Sequence, residues 1–404
     1  MLRWTPFSTS RRDWRVLVFH GHWRYASTFP SVETVKVPCH SNGYITLDIH
    51  RPPKPPSGQV TLSAVLIYLP PGPARGIESK ASTVFSQLRE RGLPFPIVQL
   101  NYRLSPAYPY PTPIHDVLRG YDWIKEHLLP KRATALKGSP PRNGRLAVCG
   151  QLLGGGLAAM LALTECRVGQ PGIVAAALSN PVMDWVDLDG DLAKVATTAS
   201  APVASDGTAN ALTTELQALR GKIFRKPEHY FDPFASPMLF LRSAGGAIPP
   251  APPDVPTDDM EHLTQLNREE FRYVSEPAKE EAKPQRKTSK RYPSPLLGLR
   301  LPNFHIHAGK SSPVLFGQAE EFTRRLRQAH VRQAGELEFG RKVLDEDEID
   351  DMSESERSEI AQREVEARKK AQLSVSQDLG LWDASAEGRA RVAEMVRWIG
   401  DALR

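Results

Sequence analysis

"RLAVCGQLLGGGLAAMLALTE", Arg145 to Glu165, is the stretch that decides how this 404-residue chain is read. An apolar run, Leu146 to Cys149, stops at Gly150, and three more glycines, Gly154 to Gly156, open an Ala/Leu-rich segment. The run predicts a buried strand, and the glycines a tight turn into a helix. Strand, glycine turn and helix are the layout that presents a nucleophilic serine in the pentapeptide G-x-S-x-G. Here the pentapeptide is Gly150-Gln151-Leu152-Leu153-Gly154, with leucine where the serine belongs. Leu146 to Thr164 is uncharged and long enough for a membrane span, but its four glycines and Gln151 favour strand-turn-helix.

Working outward, Val35 to Arg51 alternates as an early strand, and "RPPKPPSG" (Arg51 to Gly58) is a proline-rich turn. Thr61 to Pro73 is an apolar strand stopped by Pro70 and Pro71, since proline cannot continue a ladder. Ile97 to Asn101 and Gly172 to Val182 are further strands, and Leu301 to Gly309 a returning one. Between them, Ile114, Val117, Leu118, Tyr121, Ile124 and Leu128 recur at helical spacing. Strands separated by helices argue for a mostly parallel sheet in an α/β fold, with helices on both faces. "GELEFGRKV" (Gly335 to Val343) is read as the last strand, before a charged helix through Lys370. The final helix carries Val392, Met395, Val396, Ile399 and Leu403 on one face, with Ser385 as N-cap.

Residues 1–33 read as a basic N-terminal arm and 34–404 as one domain, in which 186–300 forms a cap region. Ala247–Pro293 is Pro-rich and charged and Asp345–Glu356 acidic, so both are expected to be mobile surface insertions, the second leading into the charged helix of 345–370. The formal net charge of +6 is scattered, with one cluster from Lys283 to Arg291. Without aromatic interleaving or zinc spacing it does not indicate nucleic-acid binding. Cys39, Cys149 and Cys166 are too widely spaced for a disulfide framework or a metal pattern, which makes a reducing, cytoplasmic setting the default. Five arginines against Asp13 in the first 29 residues leave mitochondrial import as the alternative.

Several phrases, in order, resemble the hormone-sensitive-lipase-like esterases of the α/β-hydrolase fold. "NYRLSPAYPYPTPIHD" (Asn101 to Asp116) is similar to that family's Tyr-Arg-Leu-x-Pro stretch and "CGQLLGGGLA" to its nucleophile elbow. "DPFASP" (Asp232 to Pro237) is similar to its Asp-Pro-x-x-Ser-Pro, and "HAGKSSP" to its Gly-x-x-Asp-Pro. The resemblance implies an esterase scaffold and also shows what is missing. The nucleophile falls on Leu152 and the acid on Ser312, which cannot stabilise an imidazolium as aspartate does. The histidine should follow the last strand, yet the last histidine of the chain is His330. The oxyanion loop reads Pro70-Pro71-Gly72-Pro73, and proline has no N–H to donate. Asp116 matches a structural aspartate of the family and suits a helix N-terminus.

Other chemistry is poorly supported. His305 and His307 alternate on a strand without a matching carboxylate and are read as facing solvent or a loop rather than a metal. "LRSAGG" (Leu241 to Gly246) lacks the preceding strand of an elbow, and Gly154 to Gly156 lack the Lys-Ser/Thr of a phosphate cradle. The reading is therefore a degenerate esterase scaffold without cofactor. It binds a small apolar molecule or a protein partner through the old substrate pocket, and a carboxylic-ester hydrolase with a rearranged site is the alternative. An elbow strains its backbone, and without catalytic need that strain is free to relax here.

Overall fold

Every side chain of Ala64–Leu69 (β3) is buried, as is every one after the first in Arg145–Gln151 (β5). Strands this apolar need cover on both faces. The structure, a computed structural model, describes residues 32–39, 43–52, 64–73, 78–129, 144–188, 207–245, 248, 288–336 and 354–404. The other strands are Val32–Pro38 (β1), Tyr44–His50 (β2), Ile97–Asn101 (β4), Gly172–Ser179 (β6), Asn303–Gly309 (β7) and Ala371–Ser376 (β8). They form one sheet in the order β1-β2-β4-β3-β5-β6-β7-β8. Only β2 runs against its neighbours; from β4 to β8 every pairing is parallel.

The helices are α1 (Glu78–Glu90), α2 (Thr112–His127), α3 (Leu152–Thr164), α4 (Gly207–Ile223), α5 (Pro313–Glu336), α6 (Glu354–Lys370) and α7 (Ala386–Leu403). α2, α3 and α5 bury their apolar faces on one side of the sheet. α1 and α7 cover the other, where Val392, Met395, Val396, Ile399 and Leu403 of α7 are all buried, as their spacing predicts. Ser385 caps α7 by accepting from the Gly388 N–H at 2.9 Å. This is the α/β-hydrolase architecture, and it matches the fold class expected from the alternation of strands and helices.

Two expectations need correction, and two more lie mostly outside the described residues. The early strand is a hairpin, β1 and β2, closed by Cys39 N–H donating to the Gly43 carbonyl at 2.8 Å. Gly43 has φ +77°, a conformation that costs glycine little and broke the single strand in two. The last strand is β8, not Gly335–Val343; Gly335 and Glu336 end α5, and 337–343 lie outside the described residues. The expected insertion at 247–293 lies mostly outside them too, but Thr288–Pro293 does pack. Ser289 bridges Arg242, and the Tyr292 ring sits 4.9 Å from that of Phe240. Of Asp345–Glu356, 345–353 lie outside the described residues, as does the arm up to residue 31, and Glu354 already begins α6. Among the described residues no helix is long and apolar enough to cross a membrane.

Candidate functional site

β5 ends at Gln151 and α3 begins at Leu152, which holds φ +51°. A leucine at positive φ is an outlier, held only because its surroundings over-determine it. The Leu152 carbonyl accepts from the Val182 N–H at 3.1 Å, and Gln151 Oε1 accepts from the Trp382 N–H at 3.0 Å. The absent β-carbon does the rest. A Cβ on Gly154 would overlap the Leu69 and Pro70 carbonyl oxygens, and one on Gly156 the Val182 oxygen. The strain expected to relax is therefore retained, because the glycines after Leu152 let α3 press onto the end of β3 whatever side chain stands at 152.

Leu152 is fully buried in an apolar cluster with Val182, Trp185, Leu216, Phe224, Val314, Leu315 and Leu381. Leu153, not Leu152, reaches the adjoining cavity. That cavity is about 40 Å³ and is lined by Leu104, Tyr110, Leu153, Trp185, Ile223 and Phe224 among others, so the ends of α4 and α2 form its walls. Space for a single water on this measure is roughly 10–15 Å³, so the cavity takes a few small atoms until its walls move. At its margin the Tyr110 hydroxyl donates to Asp232, and the Tyr110 ring lies 5.2 Å from that of His229.

The other positions carried by the resemblance surround the same cluster. Pro70 and Gly72 follow β3. The Pro70 carbonyl accepts from the Tyr102 hydroxyl at 2.6 Å, and Gly72, at φ +80°, faces Leu104 and Leu153. Pro71 is buried and Pro73 exposed. Ser312, just before α5, is fully buried and its Oγ has no hydrogen-bond partner. After β8 the chain runs Gln377-Asp378-Leu379-Gly380-Leu381-Trp382, and Leu379 and Leu381 pack on the Leu152 cluster. No histidine stands in this loop. Asn180, at φ +40°, ties these pieces together: its Oδ1 accepts from the Gly309 N–H at 2.9 Å and its amide donates to the Leu379 carbonyl. Nothing in the sequence marked Asn180, whose role depends on two segments more than a hundred residues away. Asp116, buried, is held by Arg103 through a 2.6 Å ion pair and the Arg103 backbone N–H, which makes it structural.

His305 and His307 share one face of β7, but both are buried, not turned to solvent or a loop. Their partners come from β8, which pairs with β7. His305 Nε2 lies 3.1 Å from Ser374 Oγ, and His307 Nε2 3.2 Å from Ser376 Oγ. His305 Nε2 also faces Glu394 at 3.7 Å. A relay needs hydroxyl and carboxylate on opposite ring nitrogens, and here both address the same one. These pairs hold β7 to β8. Among the described residues no group of three His, Cys, Asp or Glu side chains is placed to hold a metal.

Burial, helped by the Arg391 and His305 charges and opposed by Asp378, lowers the His307 pKa to about 4. Burial and Lys370 lower His330 to about 4 as well, against a smaller upward effect of the Pro302 backbone. Unfolded, both take a proton near pH 6.5, so their neutral burial contributes fully above that pH and is lost as pH falls toward 4. Urea midpoints should fall across this window, and replacing both by glutamine should flatten the slope. An unchanged slope would assign the acid sensitivity to other groups.

The comparisons agree with the architecture. Residues 83–262 match the family model described as the alpha/beta hydrolase fold, and the chain has that fold. Esterase LipI of Mycobacterium tuberculosis is 35% identical over 107 residues, 26% of this chain and 30% of that protein. Carboxylesterase NlhH of the same species is 36% identical over 78 residues, 19% of this chain and 22% of that one. The chain thus matches less than a third of the length of these relatives. Among solved structures, carboxyl esterase 2 of the fungus Tuber melanosporum superposes with TM-score 0.52 at 16% identity, covering 94% of this chain and 89% of that one. An esterase of the archaeon Pyrobaculum calidifontis gives 0.51 at 17%, covering 93% and 85%.

Proposed function

We propose that this chain is an α/β-hydrolase-fold protein without hydrolytic chemistry, and that it binds a small apolar molecule in the cavity beside Leu153. One observation carries the reading. The three places where the resemblance puts nucleophile, acid and base are occupied by Leu152, by Ser312 with an unpartnered hydroxyl, and by a loop that lends the cluster Leu379. An alkyl side chain has no lone pair to attack with, and a serine hydroxyl near its ordinary pKa needs an adjacent base. The proline-rich loop at Pro70–Pro73 adds to this, since loss of one oxyanion donor costs ~10²–10³ in rate. The ligand class follows from the walls, which are almost wholly aliphatic and aromatic.

The expected result is no turnover of an activated aryl acetate and no labelling by a fluorophosphonate. Leu152→Ser alone should not restore either. Indole or a similar small aromatic should raise the melting temperature, and Ala235→Leu, which fills the cavity, should abolish that rise. Wild-type turnover above that of an unrelated-surface-serine control would overturn the reading in favour of a rearranged hydrolase. A strong gain in Leu152→Ser would do the same, placing a base such as His115, His305 or His307 within reach of the elbow.

A further inference from the structure

At the opposite end of the sheet from Leu152, the chain presents leucine to water. Residues 166–168 pair antiparallel with 298–300: the Val168 N–H donates to the Gly298 carbonyl at 2.9 Å and the Arg300 N–H to the Cys166 carbonyl at 2.8 Å. Just before this bridge, Pro295–Leu297 make a 3₁₀ turn ended by Gly298 at φ +59°. Leu296 on that turn is 97% exposed, Leu297 53% and Val168 64%. β6 and β7 are parallel and begin immediately after these segments, so the tip lies at the N-terminal end of the strands. The elbow lies at the C-terminal end, about 25 Å away for strands of this length at ~3.3 Å per residue.

Single exposed apolar residues are ordinary. These three sit on two paired segments, the turn and the 166–168 stretch beside it, and have cationic company. Arg167, Arg291 and Arg300 are exposed, and none has a carboxylate within ion-pair distance among the described residues. Exposed Lys290 adds a fourth charge, although its ammonium also donates to the Leu239 carbonyl at 3.0 Å. Among the described residues the acidic groups nearby are Glu165, whose carboxyl burial pushes above its usual range against the opposing charges of Lys125 and Arg167, and Asp122, which pairs with Lys125. An apolar tip flanked by exposed guanidiniums that make no ion pair among the described residues complements one kind of surface, an anionic lipid interface. Leucines enter the acyl boundary there while the cations stay among the phosphates. A protein partner would have to bring matching carboxylates to the rim of this tip, whereas an anionic leaflet presents negative charge across its whole face.

We infer that the Val168/Leu296/Leu297 tip, with Arg167, Arg291 and Arg300, docks this protein on an anionic membrane surface, leaving the Leu153 cavity facing away from the bilayer. The test is co-sedimentation of the full chain with phosphatidylcholine vesicles that contain phosphatidylserine, against pure phosphatidylcholine. Wild type should sediment with the anionic vesicles and be released by salt. Leu296→Asp with Leu297→Asp should lower the partition coefficient at least about tenfold, and Arg300→Gln about fivefold, the factor expected for one cation near such a surface. Both variants alter only exposed side chains, so an unchanged melting temperature separates lost binding from lost fold. Tyr44→Ser, which removes an exposed ring at the far edge of the sheet, should leave binding as it is. Binding unchanged in the leucine variant, or absent in wild type, would overturn the inference. So would a wild-type dimer dispersed by Leu296→Asp in the absence of vesicle binding, since the tip would then pair with a second copy.

Discussion

Gly154→Ala is expected to cost about 4 kcal/mol or more, a large share of the ~5–15 kcal/mol that holds a typical domain together. The new methyl would press into the Leu69 and Pro70 carbonyl oxygens, which are backbone at the end of a central strand. Neither can swing aside as a side chain would. The Pro70 oxygen is also fixed by the Tyr102 hydroxyl at 2.6 Å, so moving it breaks a second contact. Gly221→Ala is the control: it lies in α4 with no atom from outside its own stretch of helix within 4 Å of its Cβ, and it should gain roughly 0.5–1 kcal/mol from the helix preference of alanine. Denaturant titration of the two variants gives the comparison. A Gly154→Ala protein as stable as wild type would mean that α3 slides off β3 freely, and that the strained leucine is not held by this contact.

The second large effect is at Arg242, whose side chain is 2% exposed. It pairs with Asp184 at 2.8 Å and Asp187 at 2.5 Å. Asp184 is wholly buried and follows Val182, a member of the Leu152 cluster, by two residues. Arg242→Met should cost about 3–5 kcal/mol, because it strands a carboxylate in the interior, not because the pair itself is worth so much. Adding Asp184→Asn should recover most of the loss, since the amide oxygen still accepts from the Val186 N–H, now at 2.9 Å, without a charge to desolvate. A double-mutant cycle in which the losses simply add would sink this account.

The fold was legible wherever a strand is buried on both faces. β3, β5 and β6 are continuous apolar runs closed by proline or glycine, and α2 beside them carries clean helical periodicity. Legibility failed at the edge of the sheet. β8 follows α6 with no turn residue between Lys370 and Ala371, and as an edge strand it is only half buried, so "AQLSVS" gives little apolar signal. "GELEFGRKV" alternates more convincingly and drew the assignment. The error then spread, because the partners of His305 and His307 are Ser374 and Ser376 on the missed strand, and Leu379 follows it. Leu152, Ser312 and Pro70–Pro73 could be placed from local phrases because each sits beside a strand that was read. The persistence of φ +51° at Leu152 could not, since it depends on contacts with β3 and with Val182.

The 3.0 Å bond from the Trp382 N–H to Gln151 joins residues 231 apart in sequence. The leucines that finish the cover of Leu152 arrive with it, behind β8, which pairs only with β7. Ribosomes add about 5–20 residues per second, so the elbow is made roughly 10 to 45 seconds before its cover. Val182, Trp185, Leu216, Phe224 and Leu315 emerge within that interval, so the last side of the leucine-rich turn waits for β8. A chaperone that binds exposed leucine meets this turn first as an open surface and, once the last strand has docked, no longer meets it at all.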